Sequence, residues 1–290
     1  MDIGIGLPNP LLDVPGELLP RWARRAEERG FAAVATIDRI AYPSYESFVA
    51  LAAAAAATER IELLTNVLLA PTRDAVLLAK QAASVDRISG GRLTLGLGVG
   101  LREDDYLAVG RGFRDRGRRF DRDLETIHAA WRGERVGGSG HPVTPAPVRG
   151  SVPILFGGMS DAALRRVVRW GAGWTAGGAP SERVAPFLDR VRAAWAEAGR
   201  AGRPRLVALV YFALGDAAEA ERNLRTYYGD EAGAAILARM PRDAAAARET
   251  RDTYAALGID LLVFDPTVAD LSEVDALAEA VLVPDRSRVS

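Results

Sequence analysis

The feature that most constrains this chain is an alternation: short apolar runs of strand length recur eight times, separated by helix-length amphipathic stretches. Repeated strand-helix units pair their strands in parallel and cover the sheet with helices, which argues against a sandwich or a helical bundle. The runs are Ile3–Leu7, Ala32–Ile37, Ile61–Asn66, Leu93–Val99, Val152–Phe156, Gly173–Ala176, Leu206–Leu214 and Ile259–Phe264. Helices are expected at Glu17–Glu28, Ser44–Thr58, Asp74–Ile88, Arg114–Trp131, Asp161–Arg169, Glu182–Ala198, Ala217–Tyr228 with a continuation, and Ser272–Leu282. Eight such units close into a (β/α)8 barrel of the α/β class, and 290 residues is an ordinary length for one, so residues 1–290 read as a single domain.

An open doubly wound sheet would want a glycine-rich phosphate turn directly after its first strand. Here the first strand runs into Pro8-Asn9-Pro10, which denies the chain a helix and predicts a longer loop at the barrel's top rim. The other irregular stretch, Gly133–Gly150, reads as a surface excursion before the fifth strand rather than as a linker. Ala52–Ala57 reads as a close-packed helix face.

Lys and Arg number 37 against 38 Asp and Glu, so no overall field favours nucleic acid or an anionic membrane, and small molecules are the expected partners. With no cysteine there is no disulfide or thiolate chemistry, and the compartment cannot be read from redox usage. Met1–Leu7 lacks the basic region and long apolar core of a signal peptide, so a cytoplasmic enzyme is expected. Only Lys80 is lysine, and His128 and His141 are the only histidines. A protein so short of nucleophiles and neutral-pH proton carriers is expected to borrow its chemistry, although a GC-rich coding sequence explains the arginine and alanine abundance equally well.

Barrel enzymes place their chemistry at the C-terminal ends of strands, here Asn9, Asp38-Arg39, Asn66-Val67, Val99-Gly100-Leu101, Gly157–Ser160, Gly177-Gly178, Phe212 and Asp265. Lys80 lies mid-helix, so a Schiff-base mechanism has no candidate, and the carboxylates and histidines show no metal-ligand spacing. Gly157-Gly158-Met159-Ser160 opens a helix, presenting free amides and a hydroxyl that suit either a phosphate or a simple cap. The glycines of Gly96-Leu97-Gly98-Val99-Gly100 fall within a strand, where they would let a flat ring approach the backbone. Asn66 marks either a bulge or an ordinary strand-ending turn.

Phe31–Arg39, Ala52–Pro71, Leu78–Gly100 and Pro153–Trp174 together resemble the luciferase-like flavin and F420-dependent oxidoreductases. The resemblance is carried by Ala52–Ile61, by Ala79–Leu93, which is the more specific, and by Gly98-Val99-Gly100. It implies a luciferase-like barrel with a flavin or deazaflavin ring on a bulge after the third strand, matching Asn66-Val67, often with a non-prolyl cis peptide. It further implies a cofactor phosphate at Gly157–Ser160 and contact between Asp38 and the ring region. Homodimer pairing through the early helices is implied as well. Relative to the F420-dependent glucose-6-phosphate dehydrogenases, which the chain also resembles, Arg39 and Leu101 replace the catalytic histidine and glutamate. Gly177–Pro180 offers no phosphate-gripping cation, so that activity is not expected.

The resemblance therefore implies an F420-dependent oxidoreductase that transfers hydride to or from an uncharged or partly apolar substrate. Asp38, Arg39 and Asn66 are the expected catalytic set. Asp38, Asn66, Val67, Gly98, Gly100, Gly157, Gly158, Met159 and Ser160 are expected to bind the cofactor, and Leu101, Trp174, Tyr211, Phe212 and Phe264 to wall the substrate pocket. An FMN-dependent monooxygenase on the same barrel is the alternative. A catalytically silent flavin-binding barrel and a cofactor-free lyase are further readings.

Overall fold

The computed structural model describes residues 1–282. Its eight parallel strands are β1 (Asp2–Gly6), β2 (Ala33–Thr36), β3 (Glu62–Leu69), β4 (Leu93–Gly98), β5 (Ile154–Gly157), β6 (Gly173–Thr175), β7 (Arg205–Phe212) and β8 (Leu261–Pro266). Each pairs with its sequence neighbours, and β8 returns to β1, closing the barrel. The helices are α1 (Leu18–Arg29), α2 (Ser47–Ala57), α3 (Ala75–Ile88), α4 (Asp104–Leu107), α5 (Arg116–Trp131), α6 (Asp161–Trp170), α7 (Ser181–Glu197), α8 (Ala217–Tyr228), α9 (Asp230–Leu237), α10 (Ala244–Ala256) and α11 (Ser272–Val281). The seventh unit thus carries three helices where one with a continuation was expected. Gly229, at φ +81°, ends α8, and Pro241 separates α9 from α10. Among the described residues no helix is long and apolar enough to cross a membrane.

Two layers of side chains make most of the core, and a third cluster that includes Ile37, Leu209, Tyr211, Leu224 and Met240 joins β7 to the helices that follow it. Between strands and helices lies a large shell that includes Trp22, Leu51, Leu78, Phe120, Trp174, Phe212 and Phe264. Inside the barrel a small set, Ala33, Ala35, Leu64, Leu155, Val207, Leu261 and Val263, fills the axis. At the N-terminal end Arg205 on β7 forms a two-pronged ion pair with Glu62 on the facing β3, at 2.6 and 2.7 Å, and closes the floor.

The sequence motifs of the family resemblance prove to be clips between units. Arg92 donates to the Ala55 and Thr58 carbonyls at the end of α2, to the Thr58 hydroxyl and to the Ile61 carbonyl. The Glu27 carboxylate accepts from the amides of Glu59, Arg60 and Ile61, tying α1 to the same turn. Lys80 and Arg87 on α3 donate to the Thr144 and Ala146 carbonyls, and Asp86 accepts from the Val148 amide, so the Gly133–Gly150 excursion is fastened to the barrel wall.

β3 does not end at Asn66. Its register with β4 shifts between Thr65 and Leu68, and the strand continues past the bulge to Leu69. The bulge needs room that only glycine leaves: a Cβ on Gly96 would sit 2.0 Å from the Thr65 carbonyl oxygen. Gly96→Ala is therefore expected to destabilise the fold by roughly 3 kcal/mol or more, because the obstructing atom is backbone and cannot rotate away. Gly140→Ala, which meets nothing within 4 Å, is expected to stay within about 0.5 kcal/mol of the parent. Denaturant unfolding of the two variants checks the pair, and equal stabilities would refute the packing argument.

Candidate active site

The bulge stands at the C-terminal end of the barrel and has the cis Asn66-Val67 peptide that the resemblance implied. Its two side chains go to different places. Asn66 is buried, and its Oδ1 accepts from the Thr175 hydroxyl of β6 across the barrel at 2.7 Å, while its Nδ2 has no partner among the described residues. Val67 nests against two glycines: a Cβ on Gly98 would come within 2.8 Å of one Val67 methyl and a Cβ on Gly157 within 3.0 Å of the other. Gly98 and Gly157 therefore make the room in which the bulge is seated.

Gly157 links this platform to the next feature. After it, Gly158 takes φ +97°, a backbone conformation that side-chain-bearing residues rarely adopt, and Ser160 caps α6 by accepting from the Ala163 amide at 3.2 Å. The amides of Met159, Ser160, Asp161 and Ala162 find no acceptor among the described residues. A helix start with several unpaired N–H groups favours an anion, and the Ser160 hydroxyl keeps its proton free to donate. Behind the turn, the Trp174 indole N–H donates to the Gly158 carbonyl at 2.9 Å and fixes the turn's orientation.

Asp38 and Arg39 close β2 in buried ion pairs. Asp38 accepts from both terminal nitrogens of Arg73 at 2.7 and 3.0 Å, from the Leu69 amide at 2.9 Å and from Ser47 at 3.1 Å. It thereby ties β2 to the far side of the β3 bulge. Burial opposes the Arg73 charge, but the Asp38 charge and hydrogen bonds outweigh it and raise the Arg73 pKa. Arg39 turns to Asp105, whose carboxylate also accepts from the Ile40 and Ala41 amides, and reaches Asp104 at 2.9 Å. Its Nε and Nη2 are held in that brace, so Arg39 ties the loops together, while its Nη1 makes no hydrogen bond among the described residues.

The expected pocket wall divides by strand parity. Trp174, Phe212 and Phe264 are fully buried in the shell between strands and helices, with Trp174 packed on Phe187 of α7 and Phe212 against Phe264. They cannot line the mouth, because alternate residues of a strand face opposite sides and theirs face outward. Tyr211 shares the inward parity of Val207 and Leu209, and Leu101 is 89% exposed at the rim. Gly100, at φ +68°, turns the chain toward Leu101 beside Leu69.

Residues without a sequence signal cover the mouth. At the end of α8, Tyr227 lies under the guanidinium groups of Arg39 and Arg102, at 5.7 and 4.9 Å, and edge-on to Tyr42 at 4.9 Å. Tyr228 lies under Arg102 at 5.2 Å and joins its hydroxyl to that of Tyr211. His128 stacks on Trp170 in the helical layer, and burial lowers its pKa. A cleft of about 450 Å³ beside β7 and α10 is lined by Leu209, Tyr211, Gly178, Arg239 and Tyr254 among others, and by no residue of the bulge or of Gly157–Ser160.

Because the Asp38 carboxylate is enclosed, removing its partner leaves a buried charge unpaired. Arg73→Met is expected to cost about 3–5 kcal/mol, and the double variant Arg73→Met/Asp38→Asn to recover much of that loss. A double-mutant cycle by denaturant unfolding measures it, and strict additivity would refute the clamp.

Comparison with known proteins agrees with the fold. Residues 12–260 match the luciferase-like monooxygenase family. An uncharacterized protein of Mycobacterium tuberculosis is 33% identical over 207 residues, covering 61% of this chain and 71% of that protein. The FMNH2-dependent dimethylsulfone monooxygenase of Pseudomonas putida is 27% identical over 168 residues, covering 54% of this chain and 46% of the enzyme. Among solved structures, monooxygenase RslO1 from Streptomyces bottropensis superimposes with a TM-score of 0.78 at 23% identity, covering 97% of this chain and 99% of that one. An F420-dependent secondary alcohol dehydrogenase superimposes with a TM-score of 0.76 at 16% identity, covering 97% and 98% of the two chains. With the family matching from the first loop to the start of the last strand, this chain belongs to the luciferase-like monooxygenase family and is an oxidoreductase of that group.

Proposed function

We propose that the chain is an F420-dependent oxidoreductase acting on an uncharged or partly apolar substrate. The observation that carries the cofactor site is continuity: Gly157 touches the Val67 bulge on one side and opens the amide-rich turn to Ser160 on the other. A tricyclic ring on the bulge and a phosphate on the turn belong to one molecule, and the residues present fit both parts. The unpartnered Nδ2 of Asn66 is a donor for a ring heteroatom, held in orientation by Thr175. When bound, such a cofactor supplies hydride transfer, while the protein orients it and excludes water. Asp38 and Arg73 hold the platform's far edge, and Tyr42, Tyr227 and Tyr228 pack together as an aromatic cover. The same aromatic cover is compatible with a second reading, an FMN-dependent monooxygenase, in which Asn66, Val67 and the Gly157–Ser160 turn would hold a flavin that supplies oxygen chemistry.

Fluorescence titration with F420 and with FMN separates the two, with tighter binding of F420 expected. Gly158→Val is expected to weaken cofactor binding well over tenfold, roughly 1.4 kcal/mol or more, because φ +97° excludes a branched residue. Ser160→Ala is expected to weaken it about tenfold. Wild-type affinity in a folded Gly158→Val protein would refute the phosphate assignment.

We further propose a homodimer through α2 and α3, where Val49 and Leu77 are 65% and 52% exposed beside small alanine positions. Light scattering is expected to give about twice the 31.0 kDa of one chain, and a monomer mass at micromolar concentration would refute the pairing.

A further inference from the structure

One buried carboxyl has no role in the scheme above. Asp265 is the penultimate residue of β8, on the inward parity of Leu261 and Val263, and is 0% exposed. Neither of its oxygens has a hydrogen-bond partner among the described residues. The barrel makes room for it: a Cβ on Gly6 of the neighbouring β1 would lie 1.9 Å from Asp265 Oδ1. β7 places Tyr211 directly beside it in register, and Tyr211 and Tyr228 both carry its electrostatic influence. A narrow void lined by Ile37, Tyr211, Tyr227, Tyr228 and Pro266 adjoins this strand end.

An enclosed carboxyl without donors, at the end of a barrel where chemistry is done, is a group kept for a ligand. We propose that Asp265 is a catalytic acid of this site: its O–H hydrogen-bonds to, and then protonates, the carbonyl oxygen of a ketone or aldehyde substrate that parts the tyrosine cover. The proposal rests on the F420 reading for its reductant. Hydride from the reduced deazaflavin forms the new C–H bond at the carbonyl carbon, the π pair moves to oxygen, and that oxygen takes the Asp265 proton. The products are an alcohol, the oxidised deazaflavin and the Asp265 carboxylate. Asp265 regains a proton from solvent, which receives the one the ring loses on oxidation. Burial pushes this carboxyl well above the usual carboxylate range, which favours the acid form that the step requires. The titratable groups facing it, Tyr211 on β7 and Tyr228 on α8, are themselves raised by burial and stay neutral, and Gly6 on β1 brings no charge. The substrate class follows: a carbonyl oxygen satisfies a neutral O–H, whereas an ammonium group would leave the proton without an acceptor.

Asp265→Asn tests this in two independent ways. In the apoprotein, the infrared band of a protonated carboxyl at neutral pH is expected in the wild type and absent in the variant. A folded-state pKa above the unfolded value of about 3.9 means that the wild type loses stability as pH rises toward the folded pKa. The melting temperature of Asp265→Asn should accordingly gain on the wild type as pH rises above about 4. No protonated band and no pH-dependent gain would overturn the proposal whatever the cofactor. In the loaded enzyme, oxidation of reduced F420 by a panel of aliphatic ketones, cyclic ketones and aldehydes should fall roughly 100-fold or more in kcat in the variant, with F420 affinity unchanged. Bound F420 that no carbonyl compound oxidises would overturn the substrate class. F420 that fails to bind would instead overturn the cofactor reading, and the apoprotein results would still decide the state of Asp265.

Discussion

The bulge in β3 exists because β4 lacks side chains where it would collide. The Thr65 carbonyl occupies the space of a Gly96 Cβ, and Val67 fills the space beside Gly98 and Gly157. Everything proposed about the cofactor depends on that exchange of volume. It turns Asn66 toward Thr175 across the barrel, carries β3 on to Leu69, and sets Gly157 against the platform from which the turn to Ser160 departs. A close-packed interior transmits a single misplaced methyl to all of these contacts, so the site is specified by absent atoms as much as by present ones.

The fold was legible because periodicity reports which faces are covered, and a strand-helix alternation covers them in only a few ways. The family motifs were legible as patterns, but their physical meaning was not. Arg92 reads as one arginine among many until its guanidinium is seen across the end of α2, and Asp86 and Arg87 gain their purpose only from an excursion some 60 residues later. Contacts of such sequence separation leave no local signature. The three-helix seventh unit was missed for a related reason: Gly229 and Pro241 break one amphipathic stretch into pieces whose arrangement depends on packing over the mouth.

The candidate site was legible in part. The Gly157–Ser160 turn lies where the chain pattern put it, because it is a local backbone feature marked by glycine and a strand boundary, whereas the residues alone left Asn66 open between a bulge and a turn and only the family resemblance pointed to the bulge, which stands within β3 rather than after it. Trp174, Phe212 and Phe264 were expected at the pocket because they sit near strand ends. Strand parity, which shifts with a one-residue change in strand phase, sends them to the helical shell instead. Trp174 still serves the site from behind through its bond to Gly158. Asp38 and Arg39, expected to meet ring and substrate, each also make a buried ion pair, and neither Arg73 nor Asp105 carried any sequence signal of that partnership. Charged residues at a barrel mouth are thus divided between those that hold loops and those left for chemistry, a division visible only once every donor and acceptor has been assigned.

The central claim is that the β3 bulge and the turn from Gly157 to Ser160 form one cofactor site. A crystal structure of the protein soaked with F420 tests it most directly. The account predicts the deazaflavin ring in van der Waals contact with Asn66 and Val67 and the phosphate hydrogen-bonded to the amides between Met159 and Ala162. An ordered cofactor in the cleft lined by Gly178, Arg239 and Tyr254, with the bulge untouched, would contradict it.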